Sequence, residues 1–208
     1  AIEVQDTFGA TDISEYISGS VYPDTRYLTQ VDRVQTHDDR FMKFNFWKDD
    51  DFHKGWATHL LYDHMQYATH QEMFADLLMD MNPHMSREDD WIVRTSLKIL
   101  QEFGDLERFD VSSYARQLTE VRTPNQEDAQ VIERYNQRCR ELYADQKDMN
   151  FEVLRPILLE WGVRPNRIDD LADKVQGIQN NPELMKRVDR IWETSLGKFD
   201  EFFEKYCM

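Results

Sequence analysis

Apolar residues along the chain recur at three- and four-residue steps, and strict apolar/polar alternation is scarce. That period lines one face of an α-helix, so an all-α fold is expected. Trp91, Ile92, Leu97, Leu100 and Phe103 form the clearest series, with Ser86-Arg87-Glu88-Asp89 as its cap and Gly104 as its stop. A short helix is predicted over 11–20, capped by Thr11 or Asp12, ending at Gly19 and followed by Pro23. A long one runs from Ala57 to Met81, breaks at Asn82-Pro83, and has Asp49 to Asp51 where a helix start favours negative charge.

Further amphipathic stretches cover Val111 to Val121, Gln126 to Met149, Phe151 to Trp161, Ile168 to Ile178 and Glu183 to Tyr206. Pro156 requires the third of these to start late or kink. No repeat, low-complexity tract or linker interrupts them, so one all-α domain over 1–208 with seven or eight helices is the economical organisation. The first part, to about residue 104, carries the chemistry; 105–208 offers helices alone.

Composition narrows the function. With 25 Lys and Arg against 40 Asp and Glu, the net charge is −15. That field repels double-stranded nucleic acid and anionic membranes, so any phosphate handled here needs a local positive charge. A bound metal supplies one. No apolar run reaches membrane-spanning length, so integral membrane association is not expected. Two distant cysteines, Cys139 and Cys207, build no disulfide framework; such sparse use favours the cytoplasm. The sequence begins at Ala1 without methionine, so upstream residues are expected and no targeting segment is readable. Oligomeric state leaves no mark.

All six histidines (37, 53, 59, 64, 70 and 84) fall in one 48-residue window rich in carboxylates. Imidazoles with carboxylates are the donors that zinc uses, and iron and manganese sites draw on the same types. His59 and Asp63, four apart on a helix, share a face and can share an ion. His70 lies on the same stripe roughly 16 Å further along, too far for that ion. His53 and His64 point elsewhere.

Three segments resemble the zinc-dependent phospholipase C family: Gly19-Ser20-Val21-Tyr22-Pro23-Asp24, Thr36-His37, and Gly55-Trp56-Ala57-Thr58-His59-Leu60-Leu61-Tyr62-Asp63. The family's pattern runs G-x-x-x-P-D, T-H, then G-x-x-x-H-x-x-x-D on a helix, and the match covers residues 19–63. The resemblance, which extends to zinc-dependent single-strand nucleases, implies an all-α fold and two or three zinc ions cleaving phosphodiester bonds. It makes Asp24, His37, His59 and Asp63 ligands of one metal, with Asp63 able to bridge to a neighbour. His70, His84 and Glu88 reproduce the steps of the family's separate zinc site. Family members supply a further ligand from the amino end, and this chain has no histidine before His37.

Chemically the set is coherent. A divalent ion on such donors acidifies water towards a pKa of about 7 and polarises a phosphoryl oxygen. Asp24 or Asp63 can orient the water or take its proton. Arg26 and Arg33 are candidates for a bidentate fork on phosphate, with a surface ion pair as the alternative. The expected substrate is a small phosphodiester or phospholipid head group. Two other functions stay open: an HD-type metallohydrolase or oxygenase suggested by His37-Asp38, and a non-catalytic helical scaffold with a structural or vestigial metal site. Phe41, Phe44, Phe46 and Trp47 read as core packing first, and as a rim for an apolar tail or a base second.

Overall fold

The computed structural model describes residues 6–48, 50–79, 84–144 and 149–208. It is all-helical, with no strand among the described residues. In chain order the α-helices are α1 Ile13–Val21, α2 Arg26–Thr29, α3 Arg33–Thr36, α4 Arg40–Phe46, α5 Asp51–Met73, α6 Arg87–Arg108, α7 Val111–Ala115, α8 Ala129–Tyr143, α9 Phe151–Glu160, α10 Pro165–Gln179, α11 Pro182–Val188, α12 Ile191–Leu196 and α13 Phe199–Cys207. Single 3-10 turns cover Tyr22–Thr25 and Ala75–Leu77.

The residues cluster into two compact units that interleave along the chain, so a division near residue 104 does not coincide with them. The first unit comprises 1–64, 110–148 and 200–208; the second comprises 65–109 and 149–199. In the second unit Leu97 and Leu100 of α6 and Ile168 and Leu171 of α10 are buried. Those positions repeat at helical spacing, which is why two mostly charged helices can bury an apolar stripe each.

In the first unit the decisive feature is the crossing of α1 over α5. A Cβ on Gly19 would lie 1.8 Å from the carbonyl oxygen of Phe52, and one on Gly55 would lie 1.9 Å from that of Tyr16. No side chain fits between the two backbones there, so glycine is required on both helices. Beside the crossing, the Tyr16 hydroxyl pairs with Thr58 Oγ1 at 2.8 Å. The lead into α1 is clamped by Asp51, only 6% exposed, in the first turn of α5. Its Oδ2 accepts from the Thr11 and Asp12 amides at 2.8 and 2.6 Å and from the Thr11 hydroxyl at 3.0 Å, while Lys54 Nζ donates to Oδ1 at 2.9 Å. Burial alone would raise this carboxyl's pKa, but the donors outweigh it and hold it at about 2.

Several expected boundaries move. The first helix begins after its cap Asp12 but runs past Gly19 to Val21, because Gly19 serves the crossing and not a stop. α5 starts six residues before Ala57 and ends at Met73; the expected break at Asn82-Pro83 and the cap residue Asp49 lie outside the described residues. The capping box of Ser86 and Asp89 is present, yet α6 continues through Gly104 to Arg108, where Leu106 is buried. Packing overrides the propensity cost of one helical glycine, about 1 kcal/mol. The Val111 to Val121 stretch shortens to α7, Gln126 to Met149 to α8, and Glu183 to Tyr206 divides into α11, α12 and α13. Pro156 sits inside α9, which starts at its Asn150 cap. Of the aromatic run, Phe41 packs on Trp56 and Phe46 on Phe8, whereas Phe44 and Trp47 are exposed and are not core.

Gly55→Ala is expected to cost about 3 kcal/mol or more by forcing the backbones apart. Gly104→Ala, where nothing lies within 4 Å of an added Cβ, is expected to gain about 0.5–1 kcal/mol. Urea unfolding measures both, and equal effects would contradict the crossing. Because Asp51's folded pKa lies below the usual carboxylate value, its contribution is present above about pH 4 and fades as pH falls towards 2. The stability gap between wild type and Asp51→Asn, on the order of 2 kcal/mol at neutral pH, is therefore expected to shrink across that interval.

Candidate metal centre

Three chain segments of the first unit deliver donors to one place. The 3-10 turn after α1, with buried Pro23 in its second position, carries Asp24. Gln30, in the left-handed region at φ 58°, closes α2 and turns the chain towards α3, whose C-cap is His37. α5 carries His59 and Asp63 one turn apart. Trp56 ties these segments together: its ring meets Tyr22 edge-on at 4.8 Å, and its indole N–H donates to the Thr36 carbonyl at 2.7 Å, next to His37.

One donor atom each from Asp24, His37 and His59 lie within 4.8 Å of one another, the sole group of three or more potential ligands of this kind among the described residues. His37 Nε2 stands 3.6 Å from Asp24 Oδ1 and 3.9 Å from Asp63 Oδ2, and His59 Nε2 stands 3.9 Å from the same Asp63 oxygen. These separations are too long for hydrogen bonds. They suit a shared ion, since ligand atoms about 2.0–2.2 Å from zinc stand roughly 3.3–3.6 Å apart in a tetrahedron.

The imidazoles are oriented for ligation. His59 Nδ1 donates to the Ser20 carbonyl at 2.8 Å, which leaves the lone pair on Nε2, and Nε2 is buried without a hydrogen-bond partner. A polar atom in that state is costly unless something outside the chain satisfies it. His37 Nδ1 pairs with Thr36 Oγ1 at 2.8 Å, and that hydroxyl also reaches the Arg33 carbonyl at 3.4 Å. With the hydroxyl donating to the carbonyl, Nδ1–H donates to Oγ1 and Nε2 again keeps the lone pair. Burial pushes the His37 pKa down despite Asp24. For Asp24, burial acts upward, but the His37 ring and His59 outweigh it and hold the carboxyl below its usual value. Both shifts favour the deprotonated forms that bind metal.

The other candidate residues lie elsewhere. Arg33 Nη2 is 4.0 Å from Asp63 Oδ2 with its side chain 57% exposed, so it stands at the rim. Arg26 stacks on the Tyr27 ring at 4.3 Å. His70, His84 and Glu88 do not assemble into a three-donor group. His70 is buried, with its pKa pushed to about 3 by burial and the charges of Lys98 and Arg94. His84 is exposed in a turn, and the exposed Glu88 carboxylate lies 3.9 Å from Arg167. Asp38 binds Arg40 through both carboxylate oxygens. His64 pairs with Asp39 and His53 with Asp50.

Sequence reasoning missed the groups that hold the ligands: the Ser20 carbonyl, the Thr36 hydroxyl and the Trp56 indole. All three lie inside the quoted motifs, Thr36 at a specified position and Ser20 and Trp56 at unspecified ones, but nothing there marked them as hydrogen-bond partners. No protein-family model, curated protein or solved structure matches this chain.

Asp63→Asn and His59→Ala are expected to lose zinc that His64→Ala retains, as read by elemental analysis after dialysis. Zinc at a hundredfold excess over its Kd is expected to stabilise the wild type by about 2.7 kcal/mol. Equal metal content in Asp63→Asn and His64→Ala would break the assignment.

Proposed function

We propose that the chain is a metal-dependent hydrolase of phosphodiester bonds, similar in chemistry to the zinc-dependent phospholipases C. The observation that carries this reading is the buried, unpartnered His59 Nε2 facing Asp24 and His37. Two imidazoles and the Asp24 carboxylate, with Asp63 3.9 Å from each ring, are donors of the types zinc uses. Zinc held there would polarise a phosphoryl oxygen and acidify water.

The chain's own groups supply the rest. The Asp24 and Asp63 side chains are 37% and 24% exposed, so the site opens to solvent on its carboxylate side. An open side suits catalysis, whereas structural metal sites are closed. Asp63 can accept a proton from attacking water, since its oxygen stands 3.9 Å from both imidazoles. Arg33, at the rim, offers a guanidinium to a non-bridging phosphate oxygen and provides the local positive charge that an acidic protein needs. A net charge of −15 then favours a small or neutral-headed phosphodiester over a long nucleic acid. The HD-type alternative loses support because Asp38 is engaged by Arg40.

Zinc-loaded protein is expected to turn over p-nitrophenyl phosphorylcholine or bis-p-nitrophenyl phosphate, and His59→Ala is expected to be inactive. Arg33→Ala should lower kcat/KM by about 10–100-fold with zinc content unchanged. Full zinc occupancy without turnover of either substrate would leave a structural metal site and overturn the hydrolase reading.

A further inference from the structure

A second polar cluster in the first unit has no part in the metal centre. His53 Nδ1 lies 2.8 and 2.7 Å from the two Asp50 oxygens, and the His53 amide also donates to Asp50 at 3.0 Å. On its far side His53 Nε2 lies 2.8 Å from Lys48 Nζ. An ammonium can only donate, so Nε2 accepts, and the ring's proton sits on Nδ1 facing Asp50. The ring is half-buried over Trp56, stacked at 6.0 Å. Burial keeps it neutral despite Asp50, with the Lys48 and Arg122 charges acting in the same sense.

Carboxylate, imidazole and nucleophile in line is the order of parts that activates a serine or cysteine in hydrolases, here with an amine as the nucleophile. Other lysines differ: Lys54 donates to Asp51 and Lys198 to Glu72, and a carboxylate is a poor base near neutral pH. The Phe44 ring 4.6 Å from Lys48 Nζ stabilises positive charge there, so any acceleration comes from the base.

We infer that Lys48 is an acyl-acceptor lysine, activated by Asp50 and His53 for modification by thioesters. Loss of one proton from the Lys48 ammonium to solvent gives the neutral amine, whose lone pair forms a C–N bond to the thioester carbonyl carbon. His53 Nε2 takes the proton that the nitrogen sheds, and Asp50 stabilises the imidazolium. The C–S bond then breaks, and the imidazolium returns its proton to the departing thiolate. The products are the Nζ-amide and a free thiol, with no net oxidation or reduction.

Incubating the full chain with N,S-diacetylcysteamine and following each lysine by peptide mass spectrometry tests this. Lys48 is expected to acetylate at least about tenfold faster than exposed Lys43, and His53→Gln to remove the difference. In urea, where the cluster is dissolved, wild-type Lys48 and Lys43 should react alike; this comparison stands even if the variant fails to fold. Equal rates in the folded wild type, an unchanged preference in folded His53→Gln, or a preference that survives urea would each overturn the inference.

Discussion

Where α1 crosses α5, two backbones touch with only hydrogen atoms between them, and the Asp24, His37 and His59 cluster inherits its geometry from that contact. Gly19 faces the Phe52 carbonyl and Gly55 faces Tyr16 and Ser20. One turn after Gly55 stands His59, and its Nδ1 finds the Ser20 carbonyl, the residue after Gly19. The close approach therefore does two things at once: it seats the helices, and it brings a backbone acceptor within reach of a ligand's ring. A wider crossing would leave His59 free to rotate and would move the Asp24 turn that follows α1.

The surrounding contacts defend this arrangement from both ends. Asp51 clamps the entry to α1 from the first turn of α5, and Trp56 holds the Thr36 carbonyl beside His37. The Asp24 and Asp63 carboxylates remain partly in solvent while the His37 and His59 imidazoles are enclosed, so negative charge faces the open side and nitrogen lone pairs face inward. In a chain of net charge −15, a cluster of this sign favours cations over anions.

Much of this was legible in the residues. Helical spacing showed the fold class, and the one-turn step from His59 to Asp63 placed an imidazole and a carboxylate on one face. The glycines of the motifs were visible as letters, but their role was not, since a glycine before Pro23 reads as readily as a stop as a contact surface. Gly104 misled in the same way: nothing local distinguishes a helix stop from a glycine that packing carries through. His70 shows the limit of spacing arguments. It keeps step with His59 along α5, yet that stripe becomes core beyond residue 64, and its imidazole is buried. Ser20 and Thr36 act through a carbonyl and a neighbouring hydroxyl, groups that no composition or period can single out.

The most direct measurement of the central claim is anomalous scattering at the zinc edge from crystals of the zinc-loaded protein. The account requires a peak bounded by His37 Nε2, His59 Nε2, Asp24 and Asp63, with Nδ1 of His59 still on the Ser20 carbonyl. A peak elsewhere, with the His59 ring turned so that Nε2 bonds to another protein group, would contradict it.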